Sequence, residues 1–292
     1  MAYKIIHKQV IAQDIKKIDI SAPLIAAHAL PGQFVMVTPV VGERNIPMTI
    51  VDSDERRSMI SVIVHEVGPS TRKLGDLSIG ESLYQMVGPL GQAAMMDKYG
   101  LVICVATGIG AAQILPICRG LKKKGNKVIG FIGAKSKKVL MLESQMRVVC
   151  DEIFITTNDG SYERRGLASG LLKELLNKYT VHRVYAIGSV EMMQTAAQLT
   201  QEKNIPLRVT LNPYMVNGLG LCGSCRVKVD GQFSLACIDG PEFDGHQVDY
   251  QDLSQRMNTL ELAQWENQTH PINLKRPGLA GLMKSLWGST KK

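Results

Sequence analysis

Short segments with strand-like patterning fill the first third of the chain, and Gly and Pro residues separate them. These segments cover residues 3–10, 16–20, 33–38, 47–52, 59–67 and 82–88. Apolar and polar residues that alternate with a period of two are typical of strands with one buried face. Six such strands at this spacing predict a small, six-stranded antiparallel barrel, which we assign to residues 1–98.

The pattern changes beyond residue 98, where apolar runs begin to alternate with helical repeats. The runs cover residues 101–106, 127–132, 152–157, 184–187 and 207–211, and the helical stretches cover 111–124, 144–150, 167–179 and 192–203. This alternation predicts a doubly wound parallel sheet with helices on both faces in residues 99–212. The fold class is therefore α/β plus all-β, and a ligand is expected beyond the carboxyl ends of the parallel strands.

Two further segments complete the predicted organisation. Residues 213–250 carry three cysteines and predict a small separate module, and residues 251–292 predict a C-terminal helix and tail. The tail contains an apolar patch with Leu282 and Trp287, which is too short to form a core of its own. It is either a packed extension or a docking arm for a partner subunit.

Composition and charge narrow the functional classes. The net charge of +8 comes from scattered basic residues without interleaved aromatic residues, so nucleic acid is not an expected ligand. No apolar run reaches the roughly 18 residues of a membrane span, and the N-terminus alternates like a strand instead of resembling a signal peptide. Together with six cysteines, these features predict a cytoplasmic protein in a reducing compartment.

Phosphate-binding signals follow two of the parallel strands. Residues 107–110, with Gly108 and Gly110, follow the first strand and open a helix, where backbone amides could meet a pyrophosphate. The dinucleotide fingerprint is incomplete, because its third glycine is absent. Residues 156–161 end the third parallel strand, where nucleotides also bind. In the barrel, residues 67–71 form either an ordinary turn or a second phosphate site.

The cysteines near the C-terminus carry the most specific signal. Cys222 and Cys225 form a C-x-x-C pair after a glycine-rich approach, and Cys237 follows a hairpin-like stretch. The spacing matches the plant-type ferredoxin rhythm, except that Asn217 stands at the first ligand position. The pattern predicts a 2Fe-2S cluster, with zinc or structural thiols as alternatives, although zinc would need a second C-x-x-C or a histidine pair. Three other cysteines are assigned to the other domain: Cys104, Cys118 and Cys150.

Residues 215–226 and 236–245 together resemble a known family. They are similar to the small subunit of NADH-dependent reduced ferredoxin:NADP oxidoreductase, also known as the beta subunit of sulfide dehydrogenase. This family lies in the ferredoxin-NADP reductase superfamily and is a cousin of the electron-transfer subunit of dihydroorotate dehydrogenase. The resemblance runs from the N-terminus to about residue 265.

The resemblance implies FAD on the barrel, NAD(H) or NADP(H) on the α/β domain, and a 2Fe-2S cluster. The matched flavin positions are Pro47, Met48 and Thr49 along the ring, Val64 and His65 at its edge, and Gly68, Ser70 and Thr71 at the pyrophosphate. The matched nucleotide positions are Gly108, Gly110, Asp159 and Gly188. Two departures stand out: Asn45 lies where the family has an arginine, and Asn217 where relatives use an aspartate as the fourth iron ligand.

The implied function is electron transfer between NAD(P)H, FAD and the cluster, to or from a larger flavin and iron-sulfur subunit in a heterodimer. Such assemblies include electron-bifurcating ones, and ferredoxin would be reached through the partner. No side chain is expected to act as a general acid or base, since the cofactors carry the chemistry. Two alternatives remain: a reductase subunit of a sulfide or dihydroorotate dehydrogenase, and a degenerate subunit kept for assembly or regulation.

Overall fold

The computed structural model describes residues 2–269 of the chain. The chain divides into two compact units, residues 1–254 and residues 255–292. The predicted docking arm around Leu282 and Trp287 lies outside the described residues. Within those residues, none of the helices combines the length and the apolar character that a membrane span requires.

The N-terminal region contains eight strands and two helices. They are β1 (Tyr3–Ala12), β2 (Ile15–Ser21), α1 (Pro23–His28), β3 (Phe34–Thr38), β4 (Ile46–Thr49), β5 (Asp52–Asp54), β6 (Met59–His65), α2 (Pro69–Asp76), β7 (Ser82–Leu83) and β8 (Gln85–Leu90). The strands form two antiparallel sheets, in the orders β5-β6-β2-β1-β7 and β4-β3-β8. Apolar side chains from both sheets share one core.

The predicted six-stranded barrel differs from this arrangement in strand number and closure. Among the described residues the two sheets do not close into a barrel, because two predicted strands break where the chain passes from one sheet to the other. The Ile50 N–H donates to the Gln33 carbonyl, whereas the Val51 N–H donates to the carbonyl of Ser61 in β6. The second break lies at Tyr84, between β7 and β8, and its N–H bonds to the Pro39 carbonyl.

The predicted parallel sheet is confirmed, with element bounds within two residues of those predicted. Its elements are β9 (Leu101–Thr107), α3 (Gly110–Lys123), β10 (Lys127–Ala134), a 3-10 turn (Lys137–Val139), α4 (Glu143–Val149), β11 (Glu152–Thr157), β12 (Arg164–Arg165), α5 (Ala168–Lys178), β13 (Arg183–Ile187), α6 (Val190–Gln201) and β14 (Leu207–Thr210). The strand order β12-β11-β10-β9-β13-β14 reverses direction at β9, as in other doubly wound folds.

Alternate residues of β9 face opposite sides of the sheet, so each side has its own core. Ile103 and Val105 pack with the helices α5 and α6, and Val102 and Cys104 pack with α3 and α4. The strands are therefore buried on both faces, which explains their continuous apolar runs in the sequence.

The cysteine-containing segment leaves this sheet and then returns to it. Its elements are β15 (Arg226–Val229), β16 (Gln232–Leu235), β17 (Glu242–Asp244) and α7 (Tyr250–Thr269). β15 and β16 form a hairpin, and β17 pairs antiparallel with β14 at the sheet edge. Because both ends of the segment are fixed at β14 and β17, the cysteine loop is held against the sheet edge.

Candidate electron-transfer site

A cavity of about 620 Å³ lies at the carboxyl ends of the parallel strands. Four of the predicted binding residues line it: His65 from the N-terminal sheets, and Gly108, Gly110 and Gly188 from the α/β region. The position is the one that a doubly wound sheet offers to a nucleotide. The structure thus brings together residues that the sequence places more than a hundred positions apart.

Two glycines keep the floor of this cavity open. A Cβ atom on Gly110 would lie 2.5 Å from the Ile187 carbonyl oxygen, so the start of α3 packs directly on the end of β13. A Cβ atom on Gly188 would collide with the Thr107 hydroxyl. Only glycine allows these approaches, which leave backbone N–H groups at the start of α3 accessible to a pyrophosphate. The cavity therefore fits a dinucleotide.

Asp159 contributes to the shape of the cavity wall and does not itself line the cavity. Its Oδ1 accepts hydrogen bonds from the Ser161 hydroxyl at 2.7 Å and from the Ser161 N–H at 3.0 Å. These bonds hold the pKa of the Asp159 carboxyl below its ordinary value. The lining residue is its neighbour Asn158, together with Lys135 from the end of β10.

The predicted flavin-ring segment, residues 47–49, lies in β4, so its successive side chains point to opposite faces of the strand. Pro47 and Thr49 face a smaller cavity of about 50 Å³, while Met48 points into the core of the N-terminal sheets. Val64 on β6 is fully buried in the same core, and its side chain lines neither cavity. Of the two residues predicted at the ring edge, His65 is the one whose side chain reaches a cavity.

The smaller cavity connects the flavin segment with the other two regions. Met215, from the approach to the cysteines, lines it beside Thr49. Asn212 lines both cavities and exchanges two hydrogen bonds with Gln113 of α3, at 2.7 and 2.9 Å. The nucleotide cavity, the β4 segment and the segment that leads to the cysteines therefore share a wall.

The turn predicted to hold the FAD pyrophosphate starts α2. The Gly68 N–H donates to Thr71 Oγ1 at 3.0 Å, and the Thr71 hydroxyl donates back to the Gly68 carbonyl at 3.0 Å. The Ser70 hydroxyl instead donates to the Glu43 carboxylate at 2.9 Å. The Asn45 side-chain oxygen accepts a 2.5 Å hydrogen bond from the Thr38 hydroxyl.

The three cysteines of the loop have different environments. Cys225 and Cys237 are buried, at 2% and 1% exposure, whereas Cys222 is exposed. Cys222 Sγ lies 3.1 Å from Ser224 Oγ. Hydrogen bonds from the Ser224 hydroxyl and from nearby backbone amides lower the pKa of Cys222. Burial and the adjacent Cys225 thiol raise the pKa of Cys237 to about 11.

The loop backbone supplies N–H donors around the sulfur atoms. Gly220 has φ +77°, and its N–H donates to the Cys237 sulfur. Gly218 has φ +72° and packs so closely on Met36 of β3 that a Cβ atom would lie 2.5 Å from Met36 Cγ. Thiol ligands surrounded by backbone N–H donors are the environment of iron-sulfur clusters, so the residues present fit such a cluster. No group of three or more Cys, His, Asp or Glu side chains within residues 2–269 encloses a single metal ion.

Asn217 contacts its own loop. Its side-chain oxygen accepts a 2.9 Å hydrogen bond from the Leu219 N–H, and its backbone N–H faces the Cys222 sulfur. The amide side chain therefore closes the turn that leads to Cys222. Its prediction as the fourth iron ligand stays a prediction.

Comparison with known proteins identifies the family. Residues 212–249 match the family model described as the iron-sulfur cluster binding domain of dihydroorotate dehydrogenase B. A homologue of the electron transfer subunit of dihydroorotate dehydrogenase B (NAD(+)) from Thermotoga maritima is 34% identical over 265 residues, which cover 91% of this chain and 92% of the relative. The chain belongs to this family of electron-transfer subunits and their homologues.

Two more relatives extend the comparison. An uncharacterised protein of Clostridium beijerinckii is 37% identical over 263 residues, which cover 87% of this chain and 89% of that protein. A chain from the structure of NADH-dependent reduced ferredoxin-NADP oxidoreductase, solved for insight into flavin-based electron bifurcation, superimposes with a TM-score of 0.85. It is 32% identical and covers 92% of this chain and 98% of its own. The predicted family resemblance is confirmed.

The sequence interpretation missed several of the cavity residues and their contacts in this family member. Lys135 directly follows β10, where the rule for doubly wound sheets could have located it, whereas Asn158 lies in the segment 156–161 that was predicted to bind a nucleotide. Gln113 and Asn212 are 99 positions apart in the chain, and their pairing has no local signal. The contact of Glu43 with Ser70 also joins distant segments and was not predicted.

Proposed function

We propose that this electron-transfer subunit connects NAD(H) or NADP(H), FAD and a 2Fe-2S cluster to a larger flavin and iron-sulfur partner subunit. The observation that carries the proposal is the shared wall formed by Asn212. This residue lines the nucleotide cavity and the cavity beside Pro47 and Thr49, and it starts the segment that leads to the cysteines. Three sites in contact with one another are what a relay between cofactors requires.

The chain itself would bind and orient the cofactors. When bound, FAD supplies the conversion between two-electron exchange with a nicotinamide and one-electron exchange with a cluster. Gly108 and Gly110 would present backbone N–H groups to the nucleotide pyrophosphate, and Gly188 leaves room beside Thr107. Pro47 and Thr49 would contact the flavin ring, with His65 between the ring and the nucleotide cavity.

The cysteine loop would hold the cluster next to the flavin segment. Cys222, Cys225 and Cys237 would supply thiolates, and the hydrogen bonds that lower the pKa of Cys222 favour its thiolate form. Gly218 packs on Met36, which is paired with Pro47 across the sheet. The loop therefore lies one strand away from the proposed ring position.

Exposed apolar side chains around the loop support a protein partner. Leu221 is 83% exposed, and other apolar residues nearby are also exposed: Val216, Leu219, Phe233 and Ile238. Such a group of side chains at the edge of a redox site is typical of a protein interface. By kinship with the reduced ferredoxin-NADP oxidoreductase chain, we propose a flavin and iron-sulfur partner in a bifurcating heterodimer. We also propose a cytoplasmic location, since all six cysteines are free thiols.

The test is an anaerobic titration of the purified, FAD-supplemented full-length chain with NADH and with NADPH, followed by flavin absorbance. Wild type should be bleached in proportion to the added nucleotide. Gly188→Ala should bind the nucleotide about tenfold more weakly, because its Cβ atom fills the cavity floor, with the flavin content unchanged. Gly170→Ala on α5 is the matched control, since a Cβ atom there meets nothing within 4 Å.

A colourless, flavin-free protein after expression with ample flavin would refute the flavin assignment. Equal effects of Gly188→Ala and Gly170→Ala would refute the assigned nucleotide position.

A second candidate partner is a dihydroorotate dehydrogenase catalytic subunit. It is favoured by the 30% identity to the dihydroorotate dehydrogenase B electron transfer subunit of Desulforamulus reducens, over 96% of that protein. Purification of the native complex would separate the two candidates. A partner that carries iron-sulfur clusters supports the first, and a partner that oxidises dihydroorotate supports the second.

A further inference from the structure

The carboxylate of Glu43 occupies the turn that we assign to the FAD pyrophosphate. Its Oε2 accepts a hydrogen bond from the Ser70 hydroxyl at 2.9 Å, and its Oε1 accepts one from the Lys73 ammonium group at 2.5 Å. Both donors lie on α2, whereas Glu43 lies in the connection between β3 and β4. Each carboxylate oxygen therefore has its own donor on the helix.

The charges around this contact favour an anion. Hydrogen bonds from Lys73 and Ser70, together with the nearby charge of Arg44, lower the pKa of Glu43. The Thr71 hydroxyl, by contrast, forms two hydrogen bonds with the backbone of Gly68. Ser70 and Lys73 are thus the side chains of this turn that point at an acidic group.

We propose that Ser70 and Lys73 bind a phosphate of FAD, and that Glu43 holds these donors when FAD is absent and has to leave before FAD binds. The inference rests on the proposed function, since it takes residues 68–71 as the FAD turn. A carboxylate and a phosphate both offer two negatively charged oxygens to a hydroxyl and an ammonium group. The two phosphates of the FAD pyrophosphate together carry more charge and more acceptor oxygens than a single carboxylate, so the pyrophosphate displaces Glu43.

Displacement of Glu43 also affects the flavin-ring segment. The connection of residues 39–45 leads directly into β4, which carries Pro47 and Thr49. When Glu43 leaves Lys73, the connection is released next to the strand that contacts the ring. The ion pair between Glu43 and Lys73 therefore determines the fraction of protein molecules in which Ser70 and Lys73 are available to FAD.

The expected size of this effect follows from the exposure of the ion pair. A partly exposed ion pair stabilises the state in which Glu43 contacts Lys73 by only a small factor. Removal of the Glu43 carboxylate should therefore tighten FAD binding by about two- to fivefold at low ionic strength. Removal of Lys73 deletes a charged donor to the phosphate. This loss should weaken FAD binding by roughly tenfold.

The test measures FAD affinity by quenching of flavin fluorescence with the flavin-free full-length chain. The variants are Glu43→Gln, Lys73→Gln and Lys73→Arg. The matched controls are Glu55→Gln and Lys4→Gln, which change exposed residues elsewhere in the same region. Glu43→Gln should bind more tightly than wild type, Lys73→Gln more weakly, and Lys73→Arg and both controls like wild type. The difference between wild type and Lys73→Gln should shrink as salt is added.

Two results would overturn the inference, and they differ from failure of the proposed function. If Glu43→Gln binds FAD no more tightly than wild type, Glu43 does not compete with FAD. If the effect of Lys73→Gln is independent of salt, Lys73 acts through the fold and not through a phosphate. If wild type binds no FAD at all, the proposed function itself fails, and the inference fails with it.

Discussion

The chain contains two groups of three cysteines, and their surroundings differ in almost every respect. Cys222, Cys225 and Cys237 lie in a loop with glycines of positive φ and backbone N–H groups close to the sulfur atoms. The other group lies inside the α/β region, where all three thiols are buried: Cys104 on β9, Cys118 on α3 and Cys150 after α4.

Two thiols of the buried group, Cys118 and Cys150, have raised pKa values and stay protonated. Cys118 contacts both Cys104 and Cys150, and hydrogen bonding to Cys104 is the main cause that raises the pKa of Cys118 well above its ordinary value. Contact with Cys118, followed by burial, raises the pKa of Cys150. Three neighbouring thiols are thus not sufficient for a metal centre. In the loop, by contrast, backbone N–H donors lie near the Cys222 and Cys237 sulfur atoms and Cys222 is exposed, which favours ligation by these thiols.

The expected difference with the greatest consequence for function concerns iron. Cys225→Ala should lower the iron and sulfide content of the anaerobically reconstituted full-length chain by at least about tenfold, because a thiolate ligand is lost. Cys118→Ala should leave the iron content unchanged. Chemical analysis of iron, sulfide and flavin in both variants measures this, with flavin content as the control for folding. Equal iron loss in the two variants would contradict the comparison.

Thiol reactivity should also separate the groups. In cluster-free protein at mildly alkaline pH, iodoacetamide should modify Cys222 at least about a hundredfold faster than Cys118, because only Cys222 is exposed with a lowered pKa. The rate at Cys222 should level off at a lower pH than that of an ordinary thiol. The rate at Cys237 should keep rising towards its pKa of about 11. Peptide mapping by mass spectrometry gives these rates, and comparable rates at Cys222 and Cys118 would count against the description of the two groups.

A smaller effect is expected at Asn217. Asn217→Asp keeps the acceptor for the Leu219 N–H and adds a negative charge next to the cluster position, so iron should be retained in air roughly threefold longer or more. Asn217→Cys should extend retention further and lower the reduction potential. Asn177→Asp on the exposed face of α5 is the control. Iron release followed with a chelator measures retention, and identical rates for wild type and Asn217→Asp would show that residue 217 does not ligate iron.

The smallest expected difference concerns stability. Cys118→Ala removes a fully buried side chain and should lower the free energy of unfolding by about 1–2 kcal/mol. Cys222→Ala, at an exposed position, should change it by less than about 0.5 kcal/mol. Denaturant unfolding of the cluster-free protein measures both values. If Cys222→Ala lowered the free energy of unfolding more than Cys118→Ala, the assignment of Cys118 as a structural thiol and Cys222 as a ligand would be contradicted.

The comparison also shows what the sequence could reveal. The parallel strands were predictable because burial on both faces makes them continuous apolar runs, such as residues 101–106. The candidate cluster site was recognisable because its three predicted cysteine ligands lie in one short segment. Even the placement of Cys104 and Cys118 in a core followed from their apolar neighbours.

Features that depend on distant pairing were not predictable in the same way. The breaks at Ile50 and Tyr84 arise because the chain passes from one sheet to another, and this depends on the positions of β3, β6 and Pro39. Val64 matches a flavin position by resemblance, but its side chain points into the core. The pair of Glu43 and Lys73 joins segments 30 residues apart, and no local pattern connects them.

The most direct test of the central claim is electron paramagnetic resonance of the full-length chain carrying FAD and reconstituted cluster, after anaerobic addition of NADH or NADPH. In the structure, Asn212 lines both the nucleotide cavity and the cavity beside β4, and it starts the segment that leads to the cysteines. We therefore predict that one of these nucleotides produces the signal of a reduced 2Fe-2S cluster, and that Cys225→Ala abolishes it while Cys118→Ala does not. A cluster signal that appears with dithionite but with neither nucleotide would contradict the account.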